Sequence, residues 1–253
     1  MRILLTNDDG IHAAGIGALR RALQVNHEVL VVAPEKEQSA MSHAITMHKP
    51  LHAREMDYDR ATGWSVNGTP ADCAKLALEA LLVEPPDLLL SGINHGANLG
   101  RDVFYSGTVS AAMEGMFLGV PSIALSYNGN DATGLKWAAD FVAWWIQSEH
   151  FVGPPPGILF NVNFPNLSGG IPSTMIRVPL GRREYNNDFH RRTDPRGKEY
   201  YWLAGKPFDD IRDPHTDVGA LSGGLITLTA LDMDVVAAGF SAMERIDLPP
   251  SFV

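Results

Sequence analysis

The sequence predicts an α/β protein: a Rossmann-like, mostly parallel sheet with flanking helices and an extended β-hairpin in its C-terminal part. Three observations predict it. Short runs of β-forming apolar residues alternate with stretches of helical period, as in sheets built from crossover units. Proline, glycine, asparagine and aspartate bound these runs and mark their ends as turns. With 253 residues and 45% hydrophobic side chains, the chain can cover such a sheet on both faces.

Arg2 to Thr6 is the first buried strand, and a helix at about Gly15 to Leu23 spaces Ile16, Leu19 and Leu23 toward a core. The second strand, Glu28 to Ala33, stops at Pro34, and the polar, aromatic stretch from Leu51 to Val66 reads as a hairpin. Thr69-Pro70 supplies an N-cap and a first helical residue for a helix reaching about Val83, which Pro85-Pro86 ends. Asp87 to Leu90 is the third strand and Ser122 to Ser126 the fourth. Between them lies a helix at about Val109 to Leu118, with Thr108 as its cap and Gly119 at its end. A helix at about Leu135 to Ser148 carries Trp137, Phe141, Trp144 and Trp145, expected in the core or at a subunit contact, and Ile158 to Val162 is the fifth strand.

Beyond Pro165 the composition shifts to Arg, Asp, Pro and Gly. We expect a catalytic body over residues 1–165. Residues 166–253 then add a hairpin excursion, a closing strand at Leu225 to Leu231 and an oligomerisation segment to the same domain. The expected hairpin strands are Met175 to Val178 and Tyr200 to Leu203. A two-stranded ribbon is marginal alone in water, so it is expected to pack on another subunit. Arg182, Arg183, Arg191 and Arg192 fit an exposed hairpin face or an anion-attracting one, and Asp209, Asp210, Asp213 and Asp217 read as a solvated acidic loop.

Charge and cysteine usage narrow the partners. Twenty Lys and Arg against 29 Asp and Glu give a net charge of −9 without basic runs, which disfavours duplex nucleic acid and anionic membrane surfaces. The single cysteine, Cys73, excludes an intrachain disulfide or a Cys-rich metal centre. No apolar run approaches the roughly 18 residues of a membrane span, and Asp8 and Asp9 come too early for a secretory signal. The expected setting is the cytoplasm.

The strongest chemical signal is Asn7-Asp8-Asp9-Gly10 at the exit of the first strand. An isolated Asp-Gly there is most simply a turn. Two adjacent carboxylates are different, because their repulsion in a cleft requires a proton or a cation between them. Hard divalent cations prefer such oxygen ligands, and open α/β sheets bind ligands beyond the carboxyl ends of their strands. The second strand leads into a polar loop containing Ser39 and His43, and the third into Ser91-Gly92-Ile93-Asn94-His95-Gly96-Ala97-Asn98. Three consecutive strands thus deliver oxygen-bearing side chains to one rim. Tyr105-Ser106-Gly107-Thr108 precedes a helix, where amides and hydroxyls suit a phosphate. No P-loop lysine or dinucleotide fingerprint is present. His43 and His95 are candidates to protonate a leaving group, each equally readable as a surface residue.

Taken together, these segments resemble the SurE family of survival proteins. The resemblance rests on Asn7 to Gly10, the Ser39 loop, Asn67-Gly68-Thr69-Pro70, Ser91 to Asn94 with Gly96 and Asn98, and Tyr105 to Thr108 with Ala111, Ala112, Glu114 and Gly115. Thr216-Asp217 and Gly224 to Thr229 complete it. It implies a metal-dependent 5'- or 3'-nucleotidase that hydrolyses nucleoside monophosphates. One divalent ion per subunit, magnesium or manganese, would be held by Asp8, Asp9, Ser39 and Asn94, with Asp8 or Asp9 activating water. Asn98, Ser106, Gly107 and Thr108 would surround the phosphate. It also implies a homodimer or homotetramer formed by C-terminal exchange. Ala40 stands where a glycine commonly follows the metal-binding serine, and Ala230 where proline is usual.

The alternative is a nucleotide- or phosphate-binding protein, or a phosphoacceptor signalling protein, without turnover. Receiver modules need an aspartate nucleophile after the third strand, where this chain has Ser91 and Asn94. Phosphatases that form an aspartyl phosphate use two aspartates separated by one residue, whereas Asp8 and Asp9 are adjacent.

Overall fold

In the computed structural model, residues 1–58, 61–186, 188–205 and 207–233 are described. The chain runs through β1 (Arg2–Thr6), α1 (Ala14–Leu23), β2 (Glu28–Pro34), β3 (Ala53–Tyr58), β4 (Ala61–Val66), α2 (Pro70–Leu76) and β5 (Leu88–His95). There follow α3 (Gly107–Phe117), β6 (Ser122–Tyr127), α4 (Ala132–Trp145), β7 (Ile158–Phe164), β8 (Met175–Arg177) and β9 (Arg183–Tyr185). The last elements are β10 (Phe189–Thr193), β11 (Glu199–Leu203), β12 (Pro207–Asp209), α5 (Asp217–Ser222) and β13 (Ile226–Asp232).

One sheet of order β3-β4-β2-β1-β5-β6-β7-β13-β8 organises the fold. Strands β2, β1, β5, β6 and β7 are parallel neighbours, and β13 runs antiparallel to β7. The closing strand therefore completes the sheet of the N-terminal body rather than forming a second layer. Alternate residues of the central strands point to opposite faces. Ile3, Leu5, Val29 and Val31 pack with α1 and α4, while Leu4, Leu30 and Val32 pack with α2 and α3. Strand order reverses at β1, whose neighbours are β2 and β5, so the loops leaving β1 and β5 open a crevice at their carboxyl ends.

Local chemistry explains the helix starts. Thr69 and Asp72 form a capping box around Pro70, and the Asp72 carboxylate also takes the amide (2.9 Å) and hydroxyl (2.6 Å) of Thr46. The predicted single helix to Val83 is α-helical only to Leu76 and continues as a π-turn over Ala77–Leu81. The cap of α3 is Ser106, not Thr108: the Ser106 hydroxyl accepts from the Val109 amide at 3.1 Å, which leaves Thr108 inside the first turn.

The C-terminal part differs from expectation in its pairing. Tyr200 to Leu203 pairs with β10, and Met175–Arg177 instead joins the main sheet beside β13. Asp194-Pro195-Arg196-Gly197 accounts for this. Gly197 takes φ +81°, and Asp194 Oδ1 accepts the amides of Arg196 and Lys198, closing a tight turn that brings β10 against β11. A second short ribbon, β9 with β12, forms the base of this excursion. The oligomerisation segment expected to reach residue 253 lies, from 234 onward, outside the described residues.

Asp217, read as part of a solvated loop, is fully buried, and its carboxylate accepts the amides of Gly100, Gly181 and Val218. It thereby ties the end of the β5 loop to the chain entering β9. Replacing Asp217 by Asn sets an amide N–H against one of these donors. We expect Asp217→Asn to cost about 2 kcal/mol in urea denaturation. An unchanged midpoint would show that the three bonds do not hold the loops.

Candidate active site

The crevice at the switch in strand order is a cavity of about 1180 Å³ lined by Asp8, Asp9, Glu37, Ser39, Asn94, His95, Asn98 and Ser106, among others. That exceeds the roughly 300–1,000 Å³ of small-molecule sites. All four predicted metal ligands line it. So do two of the four predicted phosphate contacts, Asn98 and Ser106, while Gly107 and Thr108 are buried behind Asp8.

Asp8 and Asp9 leave β1 side by side. The preceding Asn7 is an internal brace, its amide donating to Gly10 O at 2.9 Å to close the turn. Asp8 is 5% exposed and receives the Thr108 hydroxyl on Oδ1 at 2.5 Å. The helix comes this close because residue 107 is glycine: a Cβ there would lie 2.8 Å from Asp8 Cβ. Burial, reinforced by the neighbouring Asp9 charge, pushes the Asp8 carboxyl up to about 6 despite the Thr108 bond. Burial also raises Asp9, with Glu37 adding repulsion, while the His95 amide donates to Asp9 Oδ2 at 3.2 Å.

Asn94 sits at the end of β5, its amide nitrogen fixed on Gly96 O at 2.7 Å, which leaves Oδ1 as the atom able to ligate a cation. Ser39 is at the exposed rim, where its hydroxyl donates to Glu37 Oε1 at 2.6 Å. The donor set is entirely oxygen. Among the described residues no cluster of three or more His, Cys, Asp and Glu side chains forms a metal cage. Two carboxylates supplemented by amide and hydroxyl oxygens fit a hard divalent cation and not a soft one.

Asn98 is held by a buried amide network that sequence reasoning missed. Its Nδ2 donates to Ser126 Oγ at 2.9 Å, its own amide donates to Asn163 Oδ1, and its carbonyl accepts from Asn161 and Asn163. The signal was present: Asn161 and Asn163 alternate with Phe160, Val162 and Phe164, so period two places both amides on one face. Of the two histidines, His95 lines the cavity and His43 does not. Arg101, Asp102, Tyr185 and Leu203, which sequence reasoning did not bring to the site, also line the cavity. There Arg183 pairs with Asp102 (3.1 Å) and Asp209 (2.9 Å), and Tyr185 donates to Asp102 at 2.6 Å. Arg183 is therefore a structural clamp at the base of the excursion, not an exposed anion attractor.

Comparison with known proteins identifies the family. Residues 3–187 match the family model described as survival protein SurE. A protein named 5'-nucleotidase SurE from Pelotomaculum thermopropionicum is 49% identical over 249 residues, covering 97% of this chain and 94% of the relative. Another of the same name, from Moorella thermoacetica, is 52% identical over 237 residues, covering 93% and 91%. The crystal structure of the SurE protein from Aquifex aeolicus superposes with a TM-score of 0.80 at 38% identity, covering 93% of this chain and 95% of that one. With its switch-point carboxylates, its capped α3 and these similarities over nearly its whole length, the chain belongs to the SurE family.

Proposed function

We propose that this chain is a divalent-metal-dependent 5'-nucleotidase that hydrolyses nucleoside monophosphates to nucleoside and phosphate. The observation that carries the reading is the adjacent pair Asp8 and Asp9, both carboxyls raised by burial and both lining a cavity large enough for a nucleotide. The names of the relatives support the same activity. Asp8, Asp9, Asn94 and Ser39 would hold one magnesium or manganese ion. When bound, that ion supplies neutralisation of phosphoryl charge and a more acidic water.

The protein's own groups then position the reaction. The Ser106 oxygen accepts from the helix, which leaves its O–H to donate to a phosphoryl oxygen. Asn98, locked by Ser126, offers its second amide hydrogen to the same group. An oxygen of the carboxylate pair orients the attacking water and takes its proton. The bond from water oxygen to phosphorus forms as the ester bond to the nucleoside oxygen breaks, through a loose transition state in which positioning dominates. His95 lies at the cavity wall, where it can protonate the leaving oxygen. Thr108 acts through Asp8, fixing its carboxylate rather than touching substrate.

We further propose that the chain is at least a dimer. The β10–β11 ribbon exposes Phe189, Tyr201, Trp202 and Leu203, with Trp202 64% accessible, and such apolar surface is rare on a monomer.

Metal removal by chelator should abolish phosphate release from a panel of nucleoside monophosphates, and manganese or magnesium should restore it. Asp9→Asn should lose most turnover with its circular dichroism unchanged. Full activity after exhaustive chelation would overturn the reading. The Asp8 shift adds a pH dependence. Its folded value near 6 lies above the ordinary carboxylate value of 3.8, so the metal-free native state binds more protons than the unfolded chain between those values. Metal-free stability should therefore fall as pH rises from about 4 to 6. Bound cation displaces that proton, so the melting-temperature gain from manganese should be larger at pH 7.5 than at pH 5.

Thr108→Val keeps the shape but removes the bond to Asp8. We expect kcat to fall roughly tenfold, corresponding to the ~1.4 kcal/mol of one hydrogen bond, with KM little changed and Thr108→Ser restoring activity. An unaltered kcat would exclude the positioning role. Light scattering tests assembly: an active particle of 27.5 kDa at micromolar concentration would exclude the dimer.

A further inference from the structure

One polar cluster outside the cavity has no part in the mechanism above. His43, Glu114 and Lys75 meet where the loop after β2 lies along α3. His43 Nε2 is 2.9 Å from Glu114 Oε2, and Lys75 Nζ is 3.3 Å from Glu114 Oε1. A carboxylate only accepts, so Nε2 carries the hydrogen. The ring stacks on Phe117, with centroids 5.9 Å apart and planes at 9°, and its Nδ1 lies 3.1 Å from Met113 Sδ. These three partners of the imidazole all belong to α3, and Glu114 is buried.

The loop requires such a hold. Ala40 and Ser42 have φ of +56° and +52°, conformations that residues other than glycine keep only where their surroundings impose them. Upstream, the Gln38 amide donates to Asp8 O at 2.8 Å. Downstream, the Ser42 amide and hydroxyl donate to Tyr105 O (3.1 Å) and Phe104 O (2.6 Å), and the next residue is His43. Ser39 lies between these two anchors; Phe104 and Tyr105, which take the second, precede α3, whose first turn carries Thr108 against Asp8.

We propose that His43 is a positioning residue: bonded to Glu114, it fixes the Ser39 loop against α3 and so sets how tightly the Asp8–Asp9 site takes up its divalent cation. This rests on the metal reading above. Because the ring does not line the cavity, its influence must pass through the loop and end at Ser39.

The test is manganese binding to the purified full-length protein, followed by the electron paramagnetic resonance signal of free manganese. Outer partners of metal ligands typically change affinity by 10–100-fold. His43→Ala should therefore weaken binding roughly tenfold, with kcat at saturating manganese near that of the unaltered protein. Ser39→Ala should weaken it similarly, and the double variant should be no weaker than Ser39→Ala alone. His43→Gln, which retains an N–H donor for Glu114, should restore most of the affinity. Unaltered affinity in His43→Ala, or losses that multiply in the double variant, would overturn the proposal. If His43→Ala does not fold, Glu114→Ala read against Ser39→Ala serves the same cycle. Failure of the unaltered protein to bind manganese would instead overturn the metal reading itself.

Discussion

The structure depends on the close approach of α3 to the carboxylates at the end of β1. Gly107 lets the helix backbone lie where a side chain would collide with Asp8, and Thr108 donates to Asp8 from the first turn. A helix N-terminus next to an anion is favourable in itself. Here it offsets only part of the cost of burying Asp8 beside Asp9, as the raised Asp8 carboxyl shows. The site is therefore built at the expense of stability, which is the usual condition of a cation or substrate site.

Everything else holds that arrangement in place. The parallel core fixes β1 between β2 and β5, and the loops from those strands bring Ser39 and Asn94 to the same rim. Buried amides of β7 lock Asn98, and Asp217 clamps the far end of the β5 loop onto the chain entering the ribbons. The Arg183–Asp102–Tyr185 contacts then join the base of those ribbons to the cavity wall. The base of the ribbons and one wall of the cavity are thus tied together within one subunit.

Much of this was legible in the sequence because local chemistry and period were in agreement. Strands β1, β2, β5 and β6 are nearly continuous apolar runs, as strands covered on both faces must be. Thr69-Pro70 marked its helix correctly because the capping box is a local device. What failed was non-local. Thr108 resembles a cap from sequence alone, and only the fold places Asp8 within reach to claim its hydroxyl. Asp217 stands in an acidic stretch whose burial depends on amides 36 and 117 residues away. The ribbon pairing was mistaken although its turn was readable, because apolar content was weighed above Asp194-Pro195-Arg196-Gly197. His43 looked like a candidate acid, and its neighbours on α3 lie 70 and 71 residues along the chain.

The proposed role of Asp8 and Asp9 is to form together the seat of a catalytic cation. Anomalous diffraction at the manganese absorption edge from crystals grown with manganese tests it most directly. A single anomalous peak per subunit is expected between the Asp8 and Asp9 carboxylates, next to Asn94, and it should disappear in Asp9→Asn. A peak elsewhere in the fold, or none at that pair in crystals of protein that turns over nucleoside monophosphates, would contradict it.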